Sequence, residues 1–170
     1  MNIQDYIRIV PDFPKQGISY KDITPLLLSP EAVNYCLIEF IKKLDKQKID
    51  KVAAVESRGF FFGVLLAKEL NVGFVPIRKK GKLPFSTTKA SYDLEYGTDE
   101  LEIHTDAINN GERILIHDDV LATGGTAQAA CNLIEKLGGK IIQCNFLIEL
   151  SFLEGRNKLG GNDVNSIITY

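Results

Sequence analysis

An α/β architecture, a mainly parallel twisted sheet flanked by helices, follows from three features of the chain. Short apolar runs of strand length, Val52-Ala53-Ala54-Val55 and Ile114-Leu115-Ile116, alternate with segments of helical period. The joints between them are glycine-bearing loops, Glu56-Ser57-Arg58-Gly59 and Ala122-Thr123-Gly124-Gly125-Thr126. A length of 170 residues with 45% hydrophobic content is the size of one domain with a full core, and no linker, repeat or low-complexity tract divides it. Sites in such sheets gather at the carboxyl ends of the strands.

Taken in order, residues 11–25 are dense in turn formers (Pro11, Asp12, Pro14, Gly17, Asp22, Pro25) and read as ordered but irregular. Ser29 is a fitting N-cap and Pro30 suits the first position of a helix. Its buried face is Val33, Cys36, Leu37, Phe40, Ile41 and Leu44. A buried strand at 52–55 leads to a helix over 60–70 that closes near Asn71 and Gly73. Residues 74–77 form a further strand in which Pro76 is admissible only near an edge or end. Between Arg78 and Asn110 the helical period disappears, and Leu94/Tyr96 and Leu101/Ile103 alternate as in an exposed antiparallel hairpin. The run 86–91 is small or polar with no apolar face to pin it, so residues 83–96 are expected to form a flexible lid. A helix over 127–137 ends at Gly138-Gly139, and 141–150 reads as another core strand.

Charge and cysteine usage exclude several functions. Twenty basic and 22 acidic residues leave a net charge of −2, so nothing global recruits nucleic acid or an anionic membrane. Cys36, Cys131 and Cys144 have no metal-ligand spacing and sit in apolar runs, as buried reduced thiols do. That favours the cytoplasm; with no apolar stretch of membrane-spanning length and no basic and apolar leader region at the N-terminus, the chain is expected to be soluble and unprocessed.

The most informative stretch is 114–126, where a strand runs into Asp118-Asp119 and then into Ala122-Thr123-Gly124-Gly125-Thr126 at the start of a helix. Free backbone amides and the helix dipole at such a joint suit a phosphate, and the glycines let it come close. Two aspartates beside an anion site demand a ligand that also brings hydroxyls, a divalent cation, or both. A 5-phosphorylated ribose with Mg²⁺ meets that demand. His117, at the strand's exit, reads as a packed or hydrogen-bonded imidazole rather than a catalytic one.

Residues 118–126 resemble, without a gap, the phosphoribosyl-pyrophosphate (PRPP) motif of type I phosphoribosyltransferases; His117 departs from it, an aliphatic residue being usual there. The resemblance implies a Rossmann-like type I phosphoribosyltransferase fold. It also implies that Asp118 and Asp119 receive the ribose hydroxyls and that Ala122, Thr123, Gly124, Gly125 and Thr126 bind the 5′-phosphate. The loop at 56–59 is similar to the one on which the family places the pyrophosphate, through Ser57 and Arg58, and often strains with a non-proline cis peptide. Arg78-Lys79-Lys80-Gly81-Lys82-Leu83-Pro84 and Ala90-Ser91-Tyr92-Asp93-Leu94-Glu95-Tyr96-Gly97 resemble segments of the adenine phosphoribosyltransferases. There Arg78 and Lys82 would reach the pyrophosphate, and Glu95, Tyr96 and Arg58 are the implied catalytic residues. Glu95 would act on the base proton, as a general base or as a hydrogen-bond acceptor.

The string from Asp12-Phe13-Pro14 to Asp22-Ile23-Thr24-Pro25 resembles the family's hood, about 1–33, with Ile18, Ser19, Tyr20 and Lys21 around adenine. Tyr20 either stacks on the base or caps the core. The implied activity forms AMP and pyrophosphate from adenine and PRPP with Mg²⁺, held mainly through PRPP and water, in a homodimer of single-domain chains. The alternatives are a transferase for 6-oxopurines and a PRPP-sensing regulator without catalysis.

Overall fold

The computed structural model describes residues 1–44, 46–93 and 98–170. Two short strands, β1 (Arg8–Val10) and β2 (Tyr20–Asp22), pair antiparallel into a small N-terminal hairpin, followed by a single helical turn, α1 (Thr24–Leu27). Helix α2 (Pro30–Lys43) starts as expected, with Pro30 in its first turn and the Ser29 hydroxyl accepting from the Ala32 amide at 3.2 Å. Then come β3 (Lys51–Val55), α3 (Gly59–Leu70), β4 (Gly73–Lys79), β5 (Thr87–Asp93), β6 (Thr98–His104), β7 (Arg113–Leu121), α4 (Gly125–Lys136), β8 (Lys140–Glu149) and β9 (Val164–Thr169).

The main sheet has seven strands in the order β5, β6, β4, β3, β7, β8, β9. The five strands from β4 to β9 along this order run parallel, while β5 and β6 form an antiparallel hairpin at one edge. The period of two along β7 splits the apolar residues between two cores. Ile114 and Ile116 face α4, whose Ala130, Leu133 and Ile134 are buried with them, and Leu115 faces α2 and α3 with Phe40, Phe62 and Leu66. Fully burying side chains of this size stabilises the fold by about 1.5–3 kcal/mol each.

Several sequence expectations change here. Residues 11–25 are less irregular than their turn formers imply, because β2 and α1 lie among them. β9 has no counterpart in the sequence reading; it pairs with β8 from Cys144↔Val164 to Glu149↔Thr169. Pro76 lies within β4 paired to Ala54, and is tolerated because β6 joins β4 only at Arg78 and Lys79. The run 86–91 is pinned after all: most of it belongs to β5, laddered to β6 from Thr87↔His104 to Asp93↔Thr98, and Ala90, with Tyr92 just beyond the run, packs on the core. Leu94, Glu95 and Tyr96 lie outside the described residues. The three cysteines are free and buried, with the sulfurs of Cys131 and Cys144 3.7 Å apart.

His117 is in mid-strand rather than at the strand's exit, wholly buried, its ring edge-on to Phe40 and Phe62. Its Nδ1 lies 2.6 Å from the side-chain oxygen of Asn145, its cross-strand neighbour on β8. An amide oxygen only accepts, so Nδ1 carries a proton, and burial disfavours a second one on Nε2, which has no partner among the described residues. Burial pushes its pKa down to about 4 from 6.5. A base whose folded pKa is depressed leaves more protons on the unfolded chain between the two values. Stability from this group is therefore full above pH 6.5 and is lost as pH falls towards 4, by on the order of 3 kcal/mol. In urea unfolding at pH 7 and 4.5, His117→Phe should lose markedly less stability between the two pH values than the parent; parallel losses would contradict a buried neutral imidazole.

Candidate active site

The chain leaves β3 through α3 towards β4 and leaves β7 through α4 towards β8, in opposite directions along the sheet. The last β3–β7 pair is Ala54↔His117, so beyond it the loops that follow the two strands diverge and a crevice opens between them. A cleft of about 320 Å³ fills this place, lined by residues 55–58 and 118–127 together with Lys79, Tyr92 and Leu101.

Gly124 has φ +81°, the left-handed region, and turns the chain into the N-terminus of α4. The first hydrogen bond of that helix runs from the Gln128 amide to the Gly124 carbonyl at 2.9 Å. The amides of Gly125, Thr126 and Ala127 are thus outside the helical ladder and available at the cleft. Asp118 and Asp119 lie immediately before this loop. The Asp118 carboxylate accepts the Asp119 amide at 2.9 Å. Burial, and then the charge of Asp119, hold the Asp118 pKa well above the carboxylate range. Burial also raises Asp119, against the pull of Arg58.

On the opposing wall the Glu56–Ser57 peptide is cis. The Arg58 Nε is 2.7 Å from Asp119 Oδ2, a Coulombic contact whose N–H is poorly aligned for a hydrogen bond. The same guanidinium donates to the Tyr20 hydroxyl and lies over the Tyr20 ring, 5.3 Å from its centroid. Tyr20 belongs to neither hydrophobic core; its ring meets Phe13 edge-on at 5.1 Å. Of the two readings of Tyr20, the core cap is therefore set aside. Arg58 joins the hood, the 56–59 loop and the acidic pair into one surface.

The other expected residues stand further out. Ile18 is exposed, the Lys21 Nζ donates to the Ser19 hydroxyl at 2.9 Å and lies over the Tyr170 ring, and none of the three lines the cleft. Arg78 Nε donates to Glu56 at 2.7 Å, which keeps its guanidinium beside the 56–59 loop, whereas Lys82 is exposed outside the cleft. Glu95 and Tyr96 are outside the described residues. Lys79, Tyr92 and Asp99 were not singled out in the sequence, although two of them lie in its motif strings. Lys79 pairs with Asp99 at 3.0 Å, Asp99 accepts the Tyr92 hydroxyl at 3.2 Å, and burial raises the Tyr92 pKa. Among the described residues no group of three or more His, Cys, Asp or Glu side chains could hold a metal ion.

A carboxyl group whose folded pKa is raised costs stability as pH climbs through the interval above its unfolded value, and the full cost is present above the folded pKa. Asp118→Asn removes that cost. Its urea midpoint should therefore exceed the parent's at pH 8, and by less at pH 4, where the parent carboxyl is largely protonated. An equal gain at both pH values, or a loss at pH 8, would count against the crowded carboxylate pair.

The profile of the phosphoribosyl transferase domain matches residues 19–159. Over its whole length the chain is 62% identical to the adenine phosphoribosyltransferase of Christiangramia forsetii, covering 99% of that protein, and 61% identical to that of Flavobacterium johnsoniae, covering all of it. It superposes on the crystal structure of adenine phosphoribosyltransferase from Thermoanaerobacter pseudethanolicus with a TM-score of 0.96 at 54% identity, covering 99% of this chain and 98% of that one. The Saccharomyces cerevisiae enzyme, solved with an iminoaltritol bisphosphate and adenine, gives a TM-score of 0.92 at 41% identity, covering 96% and 95%. With the fold, the two opposed loops and this similarity along its full length, the chain belongs to the adenine phosphoribosyltransferases of the phosphoribosyl transferase family.

Proposed function

We propose that this chain transfers the 5-phosphoribosyl group of PRPP to N9 of adenine, forming AMP and releasing pyrophosphate. The observation that carries the reading is the acidic pair Asp118-Asp119 near the end of β7, followed by a loop with a left-handed glycine and a helix N-terminus, in a chain 62% identical to an adenine phosphoribosyltransferase from end to end. Carboxylates crowded enough to resist ionisation gain by accepting hydroxyl protons, and a ribose offers two neighbouring ones. The free amides at Gly125, Thr126 and Ala127 suit the 5′-phosphate, with Ala122 to Gly124 shaping the approach.

Arg58 holds a central place in this reading. In this structure it engages both Asp119 and Tyr20, so it occupies the space between the acidic pair and the hood. Ribose hydroxyls on Asp119 would displace that contact and free the guanidinium for the negative charge that develops as pyrophosphate leaves. Ser57 would add a hydroxyl, and Arg78 and Lys82 further positive charge, with Arg78 already anchored beside the loop by Glu56. Tyr20 would present its ring to adenine, with Ile18, Ser19 and Lys21 around it. Glu95 would receive the N9 proton and Tyr96 would close against the reacting centre. An Mg²⁺ ion that keeps most of its water would arrive on PRPP oxygens, with Asp118 and Asp119, which line the cleft, as the carboxylates at hand. When bound, Mg²⁺ supplies neutralisation of pyrophosphate charge.

We also propose a hood over about 1–33, a closing lid over about 83–96, and a homodimer. Phe61 and Val64, exposed side by side on α3, support the last. A cytoplasmic setting accords with three buried unpaired thiols. No described helix is long and apolar enough to cross a membrane.

The deciding experiment is pyrophosphate release with PRPP, Mg²⁺ and each purine in turn, on a preparation whose mass in solution is read by light scattering. Adenine offers a donor at N6 and an acceptor at N1, and 6-oxopurines reverse both. Unpaired buried groups cost about 1–3 kcal/mol each, so kcat/KM for adenine should exceed that for hypoxanthine by roughly a hundredfold or more. Comparable values would move the chain to the 6-oxopurine enzymes, and no turnover with any purine would leave a PRPP-binding regulator. A mass near one chain, 18.9 kDa, would remove the dimer.

A further inference from the structure

Beyond β8 the chain makes two turns of 3-10 helix, Ser151–Leu153 and Gly155–Lys158, before β9. Gly155 in the second of these meets the glycine loop of the cleft backbone to backbone. A Cβ on Gly124 would collide with the Gly155 carbonyl oxygen and lie 3.0 Å from its carbonyl carbon. A Cβ on Gly155 would collide with the Ala122 carbonyl oxygen and lie 3.0 Å from the Gly124 amide nitrogen. Gly155 is buried and its φ is outside the left-handed region, so what it requires is the contact rather than the conformation. The loop thus has a floor in which backbone meets backbone, with the Leu121 side chain alongside.

That floor is fixed in place from both directions. The Leu150 amide donates to the Leu121 carbonyl at 2.9 Å, tying the exit of β8 to the exit of β7 just before the loop. The neighbouring Arg156 forks onto Glu149, with Nε 2.5 Å from Oε1 and Nη2 2.7 Å from Oε2, and its Nη1 donates to the Val164 carbonyl on β9 at 2.7 Å. Glu149 is 5% exposed, and its carboxylate also accepts the Ser166 hydroxyl at 2.6 Å. A two-pronged, charge-assisted clamp of this kind restricts both the distance and the angle of what it holds. Since a phosphate cradled by backbone amides needs them aimed at one point, a displacement of the floor is a displacement of the cradle.

We propose that Gly155 and Arg156 are positioning residues for the 5′-phosphate of PRPP: Gly155 sets the height of the 122–126 loop from beneath, and Arg156 locks Gly155 to β8 and β9. The inference rests on the reading of 122–126 as the phosphate loop. Neither residue touches the substrate. The added methyl of Gly155→Ala pushes the loop towards the cleft, and Arg156→Lys keeps the charge but loses the fork.

The test measures KM for PRPP, KM for adenine, kcat and Tm for both variants, with Gly125→Val as a control inside the loop. Gly155→Ala should raise KM for PRPP by about tenfold or more, with KM for adenine within about twofold of the parent. Arg156→Lys should raise it in the same selective way by about threefold or more. A general loss of structure would lower Tm and affect both substrates together. Should Gly155→Ala fail to fold, Arg156→Lys decides, since its side chain is about half exposed and the charge facing Glu149 is kept. If Gly125→Val raises KM for PRPP while the folded Gly155 and Arg156 variants leave it unchanged, the floor has no positioning role. If Gly125→Val also leaves it unchanged, the phosphate-loop reading fails and takes the inference with it.

Discussion

The parallel pairing of β3 with β7 is the constraint on which the site depends. It ends at Ala54↔His117, and past that point the two chains part towards opposite halves of the sheet. Because both strands run the same way, both loops emerge at the same edge, and each opens into a helix whose N-terminus is turned to the gap. The apolar side chains of β7, alternating between two cores, keep this pairing in register; a slip by one residue would exchange the faces of Ile114, Leu115 and Ile116 and carry His117 away from Asn145. The site is an outcome of that register rather than of any single motif.

The cleft carries a conflict that the fold does not need. Asp118 and Asp119 are crowded together in a place that disfavours their charge, and Arg58, in contact with Asp119, offsets this only in part. The buried Glu149, by contrast, is fully paired, with both Arg156 and Ser166. A crowded pair that its neighbours relieve only in part points to a ligand that completes it. Arg58 joins the hood and the 56–59 loop to the acids through Asp119 and Tyr20, and under the proposed function ribose hydroxyls would take its place on Asp119.

Much of this was legible in the sequence, for local reasons. The N-cap at Ser29, the strand at 52–55, the helix after Gly124-Gly125 and the apolar period of α2 are set by neighbours in the chain. The 118–126 string could be read because its chemistry lies within nine consecutive residues. What escaped was settled by distant partners. β9 is a strand because β8 offers it an edge, and Val164-Asn165-Ser166 on its own shows no strong alternation. The short β1–β2 hairpin hides among turn formers. Pro76 sits inside a strand because the register of β6 leaves that stretch of β4 with one partner. Tyr92 enters the cleft only through the fold of the β5–β6 hairpin, Lys79 stands there at the end of β4 where β6 joins it, and Gly155 looks like any surface glycine until the loop above it is in view.

The central claim is that the acidic pair is held against the interests of the fold for the sake of ribose hydroxyls. Asp118→Asn combined with Asp119→Asn tests it most directly, when unfolding midpoint and kcat/KM for PRPP are measured on one preparation. The account predicts a midpoint equal to or above the parent's together with a fall in kcat/KM of on the order of a hundredfold or more. A midpoint well below the parent's, or turnover close to normal, would contradict it.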